Sequence, residues 1–157
     1  MVERTDPART GVVAGRIVGL LTAGLAVVSL LQARGQYQEG MATLFELAGV
    51  DLGISVTAVF WGNVVLAAVA RYSVCYVVGS LVGVVYDWLD DPSLPALAAV
   101  VLVVGLGDGV LAALDTRSAA FGAAYLLAWL CYVPAFVHLH DPDASDDRSG
   151  PVRLGER

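Results

Sequence analysis

The stretch from Ile54 to Trp88 reads ISVTAVFWGNVVLAAVARYSVCYVVGSLVGVVYDW, and it decides the fold. It is an apolar run of 35 residues with one polar break, Arg71-Tyr72-Ser73. As a single helix it would be about 52 Å long, whereas the hydrocarbon core of a bilayer is about 30 Å thick. We therefore predict a tight turn at Arg71-Tyr72-Ser73, which gives two spans at 53–70 and 73–90. The alternative is one long tilted helix whose end projects from the membrane.

Three further apolar runs have the length of a membrane span, at about 11–31, 94–114 and 118–139. Pro134 lies inside the last run and is expected to kink it. The basic start of the first run would also suit a cleaved signal peptide, but Leu31 fits poorly near the cleavage position, so a retained helix is favoured. The sequence thus predicts an all-α polytopic transmembrane helix bundle, with five spans favoured and four as the alternative.

The remaining segments are polar or amphipathic. Residues 1–10 form a polar N-terminal segment, and residues 140–157 form an acidic tail that we expect to be disordered. Between them, 11–139 is a single transmembrane domain. Within it, the segment 41–48 places Met41, Leu44, Phe45 and Ala48 on one helix face, which is typical of an amphipathic helix at the membrane interface.

The composition supports a membrane protein and excludes several other classes. The chain is 57% hydrophobic and 15% charged, with a mean hydropathy of +0.72, whereas soluble domains are about 25% charged. The net charge of −6 excludes a nucleic-acid-binding surface. All nine basic residues are Arg, so neither a Schiff base nor a P-loop can form, and we expect no cofactor. An acidic chain without Lys that is rich in Ala, Val, Gly and Asp resembles in composition the proteins of salt-loving archaea or of GC-rich actinobacteria.

The Arg distribution predicts the orientation in a cell membrane. Near the spans of the five-span arrangement, one Arg, Arg34, lies on the outer side. Five lie on the inner side: Arg4, Arg9, Arg16, Arg71 and Arg117. Because cytoplasmic loops carry the excess of basic residues, the N-terminus is expected to be cytoplasmic. With four spans the last two helices reverse and this argument weakens.

Glycines at spacings of four residues mark three helix faces that could pack closely. The predicted packing glycines are Gly11, Gly15 and Gly19 in the first span, Gly79 and Gly83 in the third, and Gly105 and Gly109 in the fourth. They could form a dimerisation face, or they could pack helices within one subunit, and the second reading is favoured.

Asp108 is the polar residue that most needs an explanation, since it lies near the centre of the fourth span. An Asp at that depth costs about 2.5–3.5 kcal/mol on insertion scales, so it is expected to face the bundle interior and to find a partner. Arg71 or Arg16 could supply it, and Asp115 lies seven residues further on the same helix face. The pair could be structural, or Asp108 could serve an ion or proton relay.

The sequence contains two weaker candidate sites. Asn63, within the second predicted span, is expected to hydrogen-bond a neighbouring helix. Asp87 and Asp90 at the end of the third span, with His138 and His140 at the end of the last, could bind a divalent cation. A hydrated acidic rim explains the same residues more simply, so no metal site is predicted.

These residues contain no catalytic constellation, which favours a non-enzymatic structural or accessory membrane protein. Its expected surroundings are the lipid bilayer and either a homo-oligomer or a larger membrane complex. The alternative is a small ion- or proton-coupled transport protein or channel that uses Asp108. An intramembrane metalloenzyme is a distant third.

Overall fold

The computed structural model describes residues 7–49, 55–89 and 93–139. Apart from short turns and caps, the chain in these ranges is helical, and it contains no strand there. The helices are α1 (Pro7–Gln32), α2 (Arg34–Ala48), α3 (Val56–Trp88), α4 (Leu94–Thr116), α5 (Ala119–Leu130) and α6 (Tyr132–Leu139). Four segments of the described chain are long and apolar enough to cross a membrane, namely α1, α3, α4 and the α5–α6 pair. The predicted all-α bundle is confirmed, and it has four such segments.

The predicted turn at Arg71-Tyr72-Ser73 is wrong. The spans predicted at 53–70 and 73–90 are one helix, α3, which is continuous for 33 residues. The segment contains no Pro that would break the helix. The charge of Arg71 is neutralised by Asp108 of α4, so Arg71 can lie in the middle of a long apolar helix. At about 1.5 Å per residue α3 is about 50 Å long, so part of it extends beyond a bilayer core of about 30 Å.

Glycines hold α1 against α3 at backbone distance. A methyl group at Gly11 would lie 2.7 Å from the Cα of Gly83, and one at Gly15 would lie 2.9 Å from the Cα of Gly79. Gly19 lies next in the row, against Tyr72 of α3. These predicted packing residues therefore contact one another within one subunit, where any side chain would force the helices apart.

The second closely packed pair is α4 with α5. A methyl group at Gly109 would lie 2.7 Å from the carbonyl oxygen of Gly122, and one at Gly105 would lie 2.8 Å from the Cβ of Trp129. Gly122 was not singled out from the sequence, because it has no glycine four residues away in its own helix.

The two helix pairs meet mainly through α1, α5 and α6. The buried core between them consists of mainly apolar side chains: Ala14, Val18, Cys75, Val82, Leu97, Val101, Trp129, Tyr132 and Phe136. The hydroxyl of Tyr132 on α6 donates a hydrogen bond of 2.9 Å to the carbonyl oxygen of Gly79 on α3. By contrast, α3 and α4 make almost no close backbone approach within the described residues.

The last predicted span, 118–139, is interrupted at Cys131, which separates α5 from α6. Pro134 explains the break, because it has no N–H to bond the carbonyl of Leu130 and its ring crowds that carbonyl. The expected kink therefore occurs about one turn before the proline. It lets Tyr132 and Phe136 turn inward, where both are almost fully buried.

The flanking segments differ in part from expectation. Helix α1 begins at Pro7, so the polar segment 1–10 overlaps its first turn, a position that suits proline. Helix α2 covers Arg34–Ala48 and is longer than the predicted 41–48, and it ends at Gly49 in a left-handed conformation with φ 62°. The predicted tail, 140–157, lies outside the described residues.

Candidate functional site

An ion pair between α3 and α4 lies at the centre of the candidate site. The Nη1 atom of Arg71, midway along α3, donates to Oδ1 of Asp108 on α4. The side chains are 30% and 15% exposed, respectively. Of the two cations suggested for Asp108, the structure brings Arg71 to it. Arg16 is exposed and instead lies 5.5 Å from the ring of Tyr76.

Helix α5 supplies two further partners to the pair. The indole Nε1 of Trp129 donates a hydrogen bond of 3.0 Å to Oδ2 of Asp108. The guanidinium carbon of Arg71 lies 4.8 Å from the ring centre of Tyr125, which is a cation–π distance. Both oxygens of Asp108 are thus bonded, and the charge of Arg71 is stabilised from two sides.

Trp129 and Tyr125 were missed by the sequence analysis. They are four residues apart, so they share one face of α5. A Trp on the same helix face as a Tyr, both inside an apolar run, was a usable signal, because a buried indole N–H or phenol needs a polar partner.

A second layer of polar contacts ties α1 to this site. The Oγ1 atom of Thr22, which is fully buried, lies 3.2 Å from the Sγ atom of Cys75. The hydroxyl of Tyr125 donates a bond of 3.3 Å to the carbonyl oxygen of Thr22. The site therefore joins α1, α3, α4 and α5, and Cys75 acts as a small buried side chain that contacts Thr22.

Two cavities open beside the ion pair, on the side where α4 ends. The inner one has a volume of about 350 Å³ and is lined by residues of α1, α3, α4 and α5 that include Arg71 and Tyr125. The outer one has a volume of about 590 Å³ and includes Asp115 and Arg117 in its lining. Asp115 is exposed and also lines the inner cavity, so this candidate residue lies between the surface and Arg71.

The remaining candidate residues do not join this site. Asn63 is half-buried near the N-terminal end of α3, not in mid-span, and none of the described residues forms a side-chain hydrogen bond with it. Asp87 and His138 are exposed, and the described residues contain no group of three or more metal-ligating side chains. Asp90 and His140 lie outside the described residues.

Chemically, the arrangement can fix helices and can hold a neutralised charge pair beside a cavity whose mainly apolar lining includes a few polar side chains. Within the described residues it offers neither a nucleophile next to a base nor a ligand cluster. Comparisons of the chain with protein-family models, with curated proteins and with solved structures find no match. The function must therefore be argued from this site.

Proposed function

We propose that the chain is a multi-pass integral membrane protein with a non-enzymatic, structural or accessory role. The observation that carries this proposal is the set of protein partners of Asp108, whose two carboxylate oxygens each accept a hydrogen bond, one from Arg71 and one from Trp129. An acid that takes up and releases ions must give up protein partners of this kind during transport. The carboxylate of Asp108 instead connects three helices, which is what a structural ion pair does.

The site of action that we propose is the cell membrane, with the N-terminus in the cytoplasm. With four spans, both chain ends fall on one side of the membrane, which changes the Arg count from that of five spans. Three Arg flank the start of α1, namely Arg4, Arg9 and Arg16, while Arg34 and Arg117 flank the opposite side. The larger basic group still favours a cytoplasmic N-terminus.

Assembly with a second copy or with another membrane protein is part of this proposal. The glycine faces of α1 and α3 are occupied within the subunit, so they are not the surface for it. Outward faces of several helices are open to it, and large apolar side chains there, such as Leu66 of α3 and Val103 of α4, are 68% and 70% exposed. Cross-linking followed by mass measurement in mild detergent tests this step, and a particle with one 16.4 kDa chain alone contradicts self-assembly.

A second candidate function is ion- or proton-coupled transport, and the cavity lined by Arg71 favours it. In that role a solute would reach the ion pair and separate Arg71 from Asp108. The two functions differ in a proteoliposome flux assay of the wild type and Asp108→Asn, with a pH-sensitive dye and several cations. The structural role predicts no flux above protein-free vesicles in either. Flux in the wild type that is lost in a folded variant supports transport.

A further inference from the structure

The inner and outer cavities adjoin each other. Four residues line both of them: Ser29, Leu30, Asp115 and Thr116. The outer cavity reaches Arg117, in the turn between α4 and α5, and the inner cavity reaches Arg71. Together the two adjoining cavities extend from one end of the bundle to its central ion pair.

The chemistry of Arg71 indicates what fills this path. A guanidinium has five N–H donors, and among the described residues the hydrogen bond of Arg71 goes from Nη1 to Asp108. Unpaired donors of a charged group are costly inside a membrane, and water is the partner that such groups usually recruit. The side chains of Ser29, Thr116 and Asp115 provide further polar partners along the way.

On the other side of the ion pair a separate cavity of about 160 Å³ lies between α3 and α4, and its lining is apolar apart from Tyr86. The lining includes Val82, Val85, Leu97 and Val100. An apolar cavity of this size has too few polar partners to hold water.

We propose that the two cavities are a water-filled vestibule, open at the α4–α5 turn and closed beyond the Arg71–Asp108 pair. Its occupants are water and small hydrophilic solutes. The charges that line it, Arg71, Arg117 and Asp115, have mixed sign, so neither anions nor cations are excluded. The vestibule does not depend on the proposed function, since a hydrated structural ion pair and a transport site would both use it.

Thiol labelling in proteoliposomes tests the vestibule. Ser29→Cys, Ala70→Cys and Thr116→Cys each place one thiol in its lining, in a background in which the exposed Cys131 is replaced by Ser. Matched controls are Val100→Cys in the apolar cavity and Val103→Cys, an outward position that is 70% exposed. The probe is a charged, membrane-impermeant methanethiosulfonate reagent.

We expect the vestibule thiols to react at least about a hundredfold faster than the two controls, because the reactive thiolate does not form in an apolar medium. The reagent should label Ala70→Cys when it is added on the side of the membrane from which it labels Arg117→Cys. It should not label Ala70→Cys when it is added on the side from which it labels Asp87→Cys. Equal, slow rates at Ala70→Cys and Val103→Cys mean that lipid fills the space, and they overturn the proposal. Fast labelling of Val100→Cys would show that water passes beyond the Arg71–Asp108 pair, and it would overturn the claim that the vestibule is closed there.

Misfolding is controlled in two ways. Each variant must keep the wild-type melting temperature in detergent, and each thiol must react fully after unfolding in SDS. Because the lining is tested at three positions on α1, α3 and α4, loss of one variant leaves the other two to decide.

Discussion

Arg71 and Asp108 form an ion pair across the gap between α3 and α4, two helices whose described backbones make almost no other close approach. The pair thus connects the α1–α3 half of the bundle to the α4–α5 half at a point where apolar packing is sparse. It also explains how two charges can lie within long apolar helices.

Loss of the carboxylate is expected to destabilise the bundle. In Asp108→Asn the guanidinium of Arg71 keeps its charge without a counterion, and breaking a buried pair costs about 3–5 kcal/mol. Since the side chain of Arg71 is 30% exposed, we expect the lower half of that range. Titration with SDS in mixed micelles measures this loss in the free energy of unfolding. The exposed Asp115→Asn is the matched control, and a similar loss there would contradict a role specific to Asp108.

The indole N–H of Trp129 is expected to stabilise the folded protein through its hydrogen bond to Asp108. Trp129→Phe retains an aromatic ring but removes the donor to Oδ2 of Asp108, and hydrogen bonds to charged groups contribute about 1.5–3 kcal/mol. The expected result is a loss of that size in the free energy of unfolding. Trp88→Phe, at a position that is 82% exposed, should change it by less than about 0.5 kcal/mol. Equal effects of the two variants would argue against the hydrogen bond.

The close approach of α1 and α3 predicts opposite effects of one substitution at two glycines. Gly15→Ala inserts a methyl group 2.9 Å from the Cα of Gly79, and overpacking of this kind costs about 1–3 kcal/mol. Gly24→Ala, in the same helix, meets no atom within 4 Å. Because Ala is the better helix former, it should be neutral or stabilising by up to about 1 kcal/mol. Melting temperatures of the two variants in the same detergent check the difference in sign.

Continuity of α3 predicts that both chain ends lie on the same side of the membrane. Reporter fusions at the N-terminus and after Leu139, one active inside and one active outside the cell, distinguish this from the five-span arrangement. Four crossings give the same reporter response at both ends. Opposite responses would restore a turn within 54–88 and would be incompatible with α3 as one helix.

The sequence predicted the helical class, the span boundaries near 94–114 and the need of Asp108 for a partner. These depend on local apolar length and on the cost of one charge, which a single chain segment reveals. The turn at Arg71 was predicted wrongly because a polar residue in an apolar run suits either a turn or a buried pair. Only the position of Asp108 on a neighbouring helix decides between them.

The contribution of α5 could not be derived in the same way. Trp129 reaches Asp108 because Gly105 and Gly109 let α5 approach α4 closely, which is a tertiary relationship. For the same reason the vestibule, whose inner cavity is lined by residues of four helices, has no signature in any one of them.

The measurement that tests the central claim most directly is a double-mutant cycle of Arg71→Gln and Asp108→Asn. Unfolding free energies are compared for the wild type, both single variants and the double variant. If the pair connects α3 to α4, the double variant is more stable than the sum of the single losses predicts, with a coupling of about 1–3 kcal/mol. Additive losses, with no coupling beyond about 0.3–0.5 kcal/mol, would contradict the account.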